Sequence, residues 1–198
     1  MNRKSDIGHI MFRNIILGTV ASLSFVSCLT DKDSSSSSSD LTIGQALPQF
    51  TANVLISDTA DWRYSNTQSF TFDSKSASGR QTVIVFFNTT CPDCQRELPV
   101  LQQFYDEIKT DTAMSLLCIS RAQTKEEVVD YWSQYHLNLP VSPQPDRRIY
   151  EMFASSGIPR IYIADKRGTI THAYSDKDTL EVDDLRKTVA FVNNNITE

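Results

Sequence analysis

From Leu41 onward the apolar positions fall into short runs whose period changes along the chain. "FTANVLI" and "SFTFD" are brief, partly alternating segments separated by the polar "SDTADWRYSNTQ", which predicts two strands joined by a long connection. "TVIVFF" follows the turn-like "ASGR" as an unbroken apolar, β-branched run, the pattern of a central strand covered on both faces. In "PDCQRELPVLQQFYDEIK" the period lengthens: Leu98, Leu101, Tyr105 and Ile108 recur at spacings of three and four and form a helical stripe. "AMSLLCIS" is the next buried strand. "TKEEVVDYWSQYH" opens on Thr124 with Glu127 three residues later, a capping-box pattern, and stops before the loop from Pro140 to Pro145. "DRRIYEMFASSG" predicts a short helix closed by Gly157. "RIYIAD" and "TITHAYS" flank "KRG" as a hairpin, and "DTLEVDDLRKTVAFVNNN" is a terminal helix.

Strand, helix, strand, helix, hairpin and helix in that order predict an α/β domain with one mixed central sheet, helices on both faces and an N-terminal strand extension. No internal repeat is visible. A length of 198 residues fits one core plus extensions, at roughly 100 to 200 residues per domain. The domain is placed at 41–198. Composition adds only exclusions: 40% hydrophobic and 22% charged residues with a net charge of −5 describe an ordinary soluble domain. There is no basic excess to hold nucleic acid.

Before Leu41 the pattern is different. Arg3, Lys4 and Arg13 precede the apolar run "IILGTVASLSFV", which is far short of the roughly 20 residues that span a bilayer and reads as part of a signal peptide covering 1–27. Met11 also suits as a start, because "MFRNIILGTVASLSFVSC" is a short signal by itself. The run ends in "FVSC", where Ser27 before Cys28 resembles the lipobox at which bacterial lipoproteins are cleaved and acylated on the new terminal cysteine; Phe25 departs from the commoner Leu. The polar tract at 28–40, with its run of serines, is a tether, and a flexible chain of this length spans roughly 20 Å. Removal of 1–27 takes away three basic and one acidic residue and moves the net charge from −5 to −7.

The chemistry concentrates in "NTTCPDCQRELP". A zinc site needs about four N or S ligands, and beyond Cys91 and Cys94 the chain offers only Cys28, Cys118 inside an apolar run, and the scattered His9, His136 and His172. A disulfide closing so short a loop removes little entropy from the unfolded chain. Redox chemistry remains. A cysteine between a strand and a helix sits where free backbone N–H groups and the helix dipole favour a thiolate, so Cys91 is the expected nucleophile. Cys94, one turn inside, is the expected resolving thiol. Pro92 suits the first helical turn, and Pro99, eight residues after Cys91, falls where it should kink the helix. Asp93 opposes a second negative charge on Cys91, which predicts a reductant. Cys118 reads as a small buried hydrophobe, His136 as a favourable helix end, and Trp62 and Tyr64 as either cover for the sheet edge or a contact for a partner.

"VIVFFNTTCPDCQRELP", followed later by "GIPRIYIADKRGTI", resembles the thioredoxin superfamily, most closely the TlpA/ResA-like extracytoplasmic thiol-disulfide oxidoreductases. The resemblance covers roughly Leu41 to Asn195 and rests on the C-x-x-C pair, the helix proline and the G-I-P before a strand, in that order. It implies a thioredoxin-like fold, a cis bond at Ile158-Pro159 facing the cysteines, and contact with substrate at Pro92, Asp93, Ile158 and Pro159. It also implies a redox-active disulfide Cys91-Cys94 in place of any cofactor or metal, with Glu97 carrying a proton to or from Cys94. Two positions depart from the wider pattern: Thr90 stands where many members have Trp, and Val85 where thioredoxin has a buried Asp. The activity so implied is reduction of disulfides on exported proteins by a lipid-anchored envelope protein facing the periplasm or cell surface, recharged by a membrane thiol electron donor. Two alternatives stay open. A peroxiredoxin-type thiol peroxidase would use P-x-x-x-[TS]-x-x-C, where this chain has Ile84 and Asn88. A copper chaperone of the same fold would use C-x-x-x-C and a well-placed histidine, for which only His172 lies late enough.

Overall fold

The computed structural model describes residues 40–59, 62, 67–77 and 79–194. The proposed signal peptide, Cys28, nearly all of the tether, and Tyr64 lie outside them. Seven strands form one sheet: β1 (Thr51–Ile56), β2 (Gln68–Asp73), β3 (Gln81–Phe87), β4 (Met114–Ser120), β5 (Val141–Ser142), β6 (Arg160–Ala164) and β7 (Ile170–Tyr174), in the spatial order β2-β1-β5-β4-β3-β6-β7. Among the described residues four helices accompany them: α1 (Pro92–Ile108), α2 (Lys125–Gln134), α3 (Arg148–Glu151) and α4 (Val182–Asn194).

β3 is buried along its whole length because it lies between two strands and two layers, parallel to β4 and antiparallel to β6. The period of two along a strand sends adjacent side chains to opposite faces. Phe87 accordingly packs on Trp132 of α2, with ring centroids 4.8 Å apart, whereas Phe86 packs on Tyr150 of α3 and on Phe153. Burying each ring fully contributes about 2–3 kcal/mol. The parallel steps β3-α1-β4 and β4-α2-β5 move the same way across the sheet, so right-handed crossovers put α1 and α2 on the Phe87 face. α4 joins them by packing on α1, where Arg186 bridges Glu107 and Asp183. The opposite face is covered by α3 and the aromatic group around Phe153.

Several expectations need adjustment. β5 is a two-residue strand inside the segment read as a loop from Pro140 to Pro145; it is too short for a pattern to announce it. The helix expected over "DRRIYEMFASSG" is one turn, and Gly157 closes the next loop instead, at φ +78°. On α1 the inward residue of the fourth turn is Phe104, with Tyr105 half-buried beside it. Trp62 is buried, and its indole N–H donates to the Leu137 carbonyl at 2.6 Å, so it covers the fold and does not face a partner. His136 follows α2 in the left-handed region at φ +52°, so its backbone makes the chain's exit. Cys118 is fully buried between Val85 and Val141, and burial pushes its thiol up. The capping box of Thr124 and Glu127 is present with both its hydrogen bonds. Among the described residues no helix is long and apolar enough to cross a membrane.

Candidate active site

The parallel strands β3, β4 and β5 end together, with Phe87 beside Ser120 and Ile119 beside Ser142, and the loops leaving these ends build the site. The loop after β3 carries the two cysteines. Cys91 is the N-cap residue of α1, in extended conformation with Pro92 at the first helical position, where the missing N–H has no partner to lose. No side chain caps this helix end. Its free N–H groups and dipole are therefore directed at the Cys91 end. Cys91 is half-buried and Cys94 almost completely buried, and both are free thiols.

The facing wall comes from the loop before β6. The peptide bond Ile158-Pro159 is cis, and the Cys91 Sγ lies 3.6 Å from the Ile158 carbonyl oxygen as donor to acceptor. Gly157, just before it, lets the Asp176 carboxylate close in: a Cβ there would stand 2.7 Å from Asp176 Oδ1. Tyr150 braces the same loop by donating its hydroxyl to the Gly157 carbonyl at 2.7 Å, with the guanidinium groups of Arg121 and Arg147 over its ring. Arg160 anchors the far side through Ser156 and Asp40.

Burial drives the Cys94 thiol well above its ordinary range; the backbone N–H of Asn88 opposes this, and Cys91 and the Glu97 carboxylate add to it. Burial also pushes the Glu97 carboxyl up to about 7, with Arg96 opposing and Asp93 and Asp178 adding. Glu97 lies one turn beyond Cys94 on α1, on the same side of the helix. Asp93 is paired with Arg96 at 2.5 Å, so its charge beside the dithiol is partly balanced by a cation one turn away. The sequence showed no cation between the cysteines, but the helix supplies one.

The expected positions Cys91, Pro92, Asp93, Cys94, Glu97, Ile158 and Pro159 thus come from two loops and one helix at one end of the sheet. His172 is elsewhere, in mid-strand opposite Ile163. Among the described residues no group of three His, Cys, Asp or Glu side chains is placed to hold a metal. Sequence reasoning missed Thr89, Gln95 and Gln123. Gln123 is buried; its Oε1 accepts from the Thr89 N–H at 2.8 Å and its Nε2 donates to the Thr89 hydroxyl at 2.6 Å. Gln95 Nε2 donates to the Thr89 carbonyl at 2.7 Å. A glutamine just before a helix N-cap carries no pattern of its own, so only the third dimension brings it to the cysteine loop.

A central strand leading to a C-x-x-C helix N-terminus that faces a cis-proline loop defines a thioredoxin-like protein. The chain belongs to the AhpC/TSA family, whose model matches residues 43–173. It is similar to the thiol-disulfide oxidoreductase ResA of Bacillus cereus, with 22% identity over 107 residues, 54% of this chain and 61% of that protein. The chain therefore spans about three-fifths of the length of such curated relatives. Among solved structures it resembles a thioredoxin-family thiol:disulfide interchange protein from Chlorobium tepidum, with TM-score 0.58, 19% identity and coverage of 78% of this chain and 99% of that one. AhpC of Mycobacterium tuberculosis shares the fold, with TM-score 0.63, 15% identity and coverage of 81% and 97%.

Proposed function

We propose that the chain is an extracytoplasmic thiol-disulfide oxidoreductase that reduces disulfides of exported proteins through the Cys91/Cys94 dithiol. The observation that carries this reading is the pairing of a half-exposed N-cap thiol with a buried thiol one turn inside, both opposite the cis Ile158-Pro159 loop. Cys91 attacks a substrate disulfide, forming a mixed disulfide and releasing one substrate thiol. Cys94 then attacks the Cys91 sulfur, forming the protein disulfide and releasing the second. Cys94 gives up a proton against the effect of burial, and Glu97, poised near neutrality, accepts it. Pro92, Asp93, Ile158 and Pro159 form the rim that meets the substrate chain. No cofactor takes part: the electrons pass between sulfur pairs, and a membrane thiol donor restores the dithiol. The lipobox-like Cys28 and the serine-rich tether support attachment to an envelope membrane.

The peroxidase reading shares the fold and the family name, but Asn88 and Ile84 occupy the places of its peroxide-binding residues. One trapping experiment tests the main reading. The Cys94→Ser chain should accumulate mixed disulfides through Cys91 with exported proteins, and the Cys91→Ser chain should not. Equal trapping by both variants, or turnover of peroxide at a rate exceeding that of protein disulfides, would defeat it. Cys28→Ala should release the protein from the membrane fraction with exchange activity intact; retention there would remove the anchor from the reading.

A further inference from the structure

Thr89 lies two residues before Cys91, and each of its polar groups is engaged: the N–H and hydroxyl by Gln123, the carbonyl by Gln95. Gln123 is itself held from behind. Its backbone N–H donates to the Gln144 carbonyl at 2.8 Å, and Gln144 is tied to Ser120 Oγ at 2.8 Å and Ser142 Oγ at 2.9 Å, so the Gln123 backbone is fixed to the ends of β4 and β5. Gln123 is 3% exposed, which leaves its amide no solvent to fall back on and makes its two bonds to Thr89 stiff. The residue between the clamp and β3 touches both thiol positions: the Asn88 carbonyl accepts from the Cys91 N–H at 3.1 Å, and the Asn88 N–H faces the Cys94 sulfur.

We propose that Gln123 is a positioning residue for the resolving step: by clamping Thr89 it fixes the Asn88–Thr89 backbone from which the approach of Cys94 to Cys91 is set. This rests on the exchange reading above. In the step concerned, the Cys94 thiolate attacks Cys91 sulfur in the mixed disulfide. The Cys91–Cys94 bond forms, the bond from Cys91 to the substrate sulfur breaks, and the departing thiolate takes a proton. The protein dithiol is oxidised and the substrate disulfide reduced. A loosened loop leaves Cys91 exposed at its helix end and able to make the first attack, but loses the alignment of the second. Misplacement of about 1 Å costs up to about 100-fold in such reactions.

The test uses the reduced chain with Cys28→Ala, so that Cys28 releases no thiolate, and an aromatic disulfide, dithiobis-nitrobenzoate, which releases one coloured thiolate when Cys91 attacks and a second when Cys94 resolves. Gln123→Met keeps the volume and removes the amide. It should slow the second release by about 10-fold or more and the first by less than about 3-fold. Thr89→Ser keeps all three groups and should behave as wild type, whereas Thr89→Val, lacking the hydroxyl, should slow the second release selectively. A Gln123→Met chain with a lowered Tm and both releases unchanged overturns the inference, since a purely structural amide would act that way. If Gln123→Met fails to fold, the Ser/Val pair decides: equal second-phase rates overturn the inference, and a selective slowing in Val upholds it. A wild-type chain that releases only one thiolate would overturn the exchange reading itself, and with it this one.

Discussion

Replacement of Glu97 by glutamine removes a carboxyl whose ionisation is coupled to folding. In the folded chain burial raises it from 4.5 to about 7. Between those values the folded chain holds a proton that the unfolded chain has lost, so the folded state binds more protons and stability falls as pH rises. Below 4.5 both states are protonated and the penalty is absent; above about 7 both are ionised and it is complete. Full sequestration would make that separation worth about 3.4 kcal/mol. The side chain is only half-buried, and solvent screening reduces the expected effect to about 1–2 kcal/mol. Glutamine cannot ionise. Relative to wild type, Glu97→Gln should therefore gain about 1–2 kcal/mol between pH 4.5 and pH 8, whatever constant offset the substitution carries. Urea unfolding of both reduced proteins at several pH values measures the difference, in which all other titrating groups cancel. A difference that stays flat across this range, or moves in favour of wild type, refutes the reasoning. The same variant should lose any inflection near pH 7 in the rate of the resolving step.

Asp93→His replaces a negative charge beside the dithiol with an imidazole and releases Arg96 from its pair, so equilibration with glutathione should show a higher reduction potential. Each tenfold change in that equilibrium is about 30 mV, and a potential unchanged or lowered would contradict the assignment. Gly157→Ala is strained twice, by φ +78° and by a Cβ 2.7 Å from the Asp176 carboxylate. It should lower stability by at least about 1 kcal/mol and slow exchange by shifting the wall opposite Cys91, and the double variant with Asp176→Ala should recover only the contact part. A Gly157→Ala protein with unchanged urea midpoint and exchange rate would contradict both. Trp62→Phe leaves the Leu137 carbonyl without its indole donor and should cost about 1–3 kcal/mol in urea unfolding with exchange unaffected; a neutral result would mean that solvent reaches this carbonyl.

What the sequence revealed follows from the range of the forces involved. Local periodicity sufficed for β3, α1, β4 and α2, because each buries a face whose spacing is set by its own backbone, as in "TVIVFF" and the Leu98–Leu101 stripe. The layout of the candidate site was legible for the same reason: Cys91, Cys94 and Glu97 follow one another along one helix, and Ile158-Pro159 carries its own short motif. The two-residue β5 was not legible, since its pairings to Leu55 and Cys118 come from strands far away in the chain. The role of Trp62 was hidden because its partner is 75 residues on. The Arg96 pair with Asp93 is a simple i,i+3 spacing that the helical pattern of α1 already contains.

Val85 sits on β3 between Cys118 and Ile161, fully buried and on the same face as Phe87, the face that α1 covers. An aliphatic side chain at this strand position cannot take up a proton. On the exchange reading proposed above, the Cys94 thiol, which burial makes reluctant to ionise, needs an acceptor other than Val85, either on the helix or in solvent. In that reading Glu97 is the acceptor: it lies on the same side of α1, half-buried enough to be raised to about 7 and exposed enough to exchange its proton with solvent. The placement has a consequence for Arg96 as well. It opposes the upward shift of Glu97 while pairing Asp93, so Arg96→Gln should move the Glu97 carboxyl further up and extend the pH range over which the resolving step lacks its base. A pH profile of that step displaced to higher pH in Arg96→Gln, and abolished in Glu97→Gln, would tie the acid limb to this one carboxyl; an unmoved profile in both would assign the proton to water.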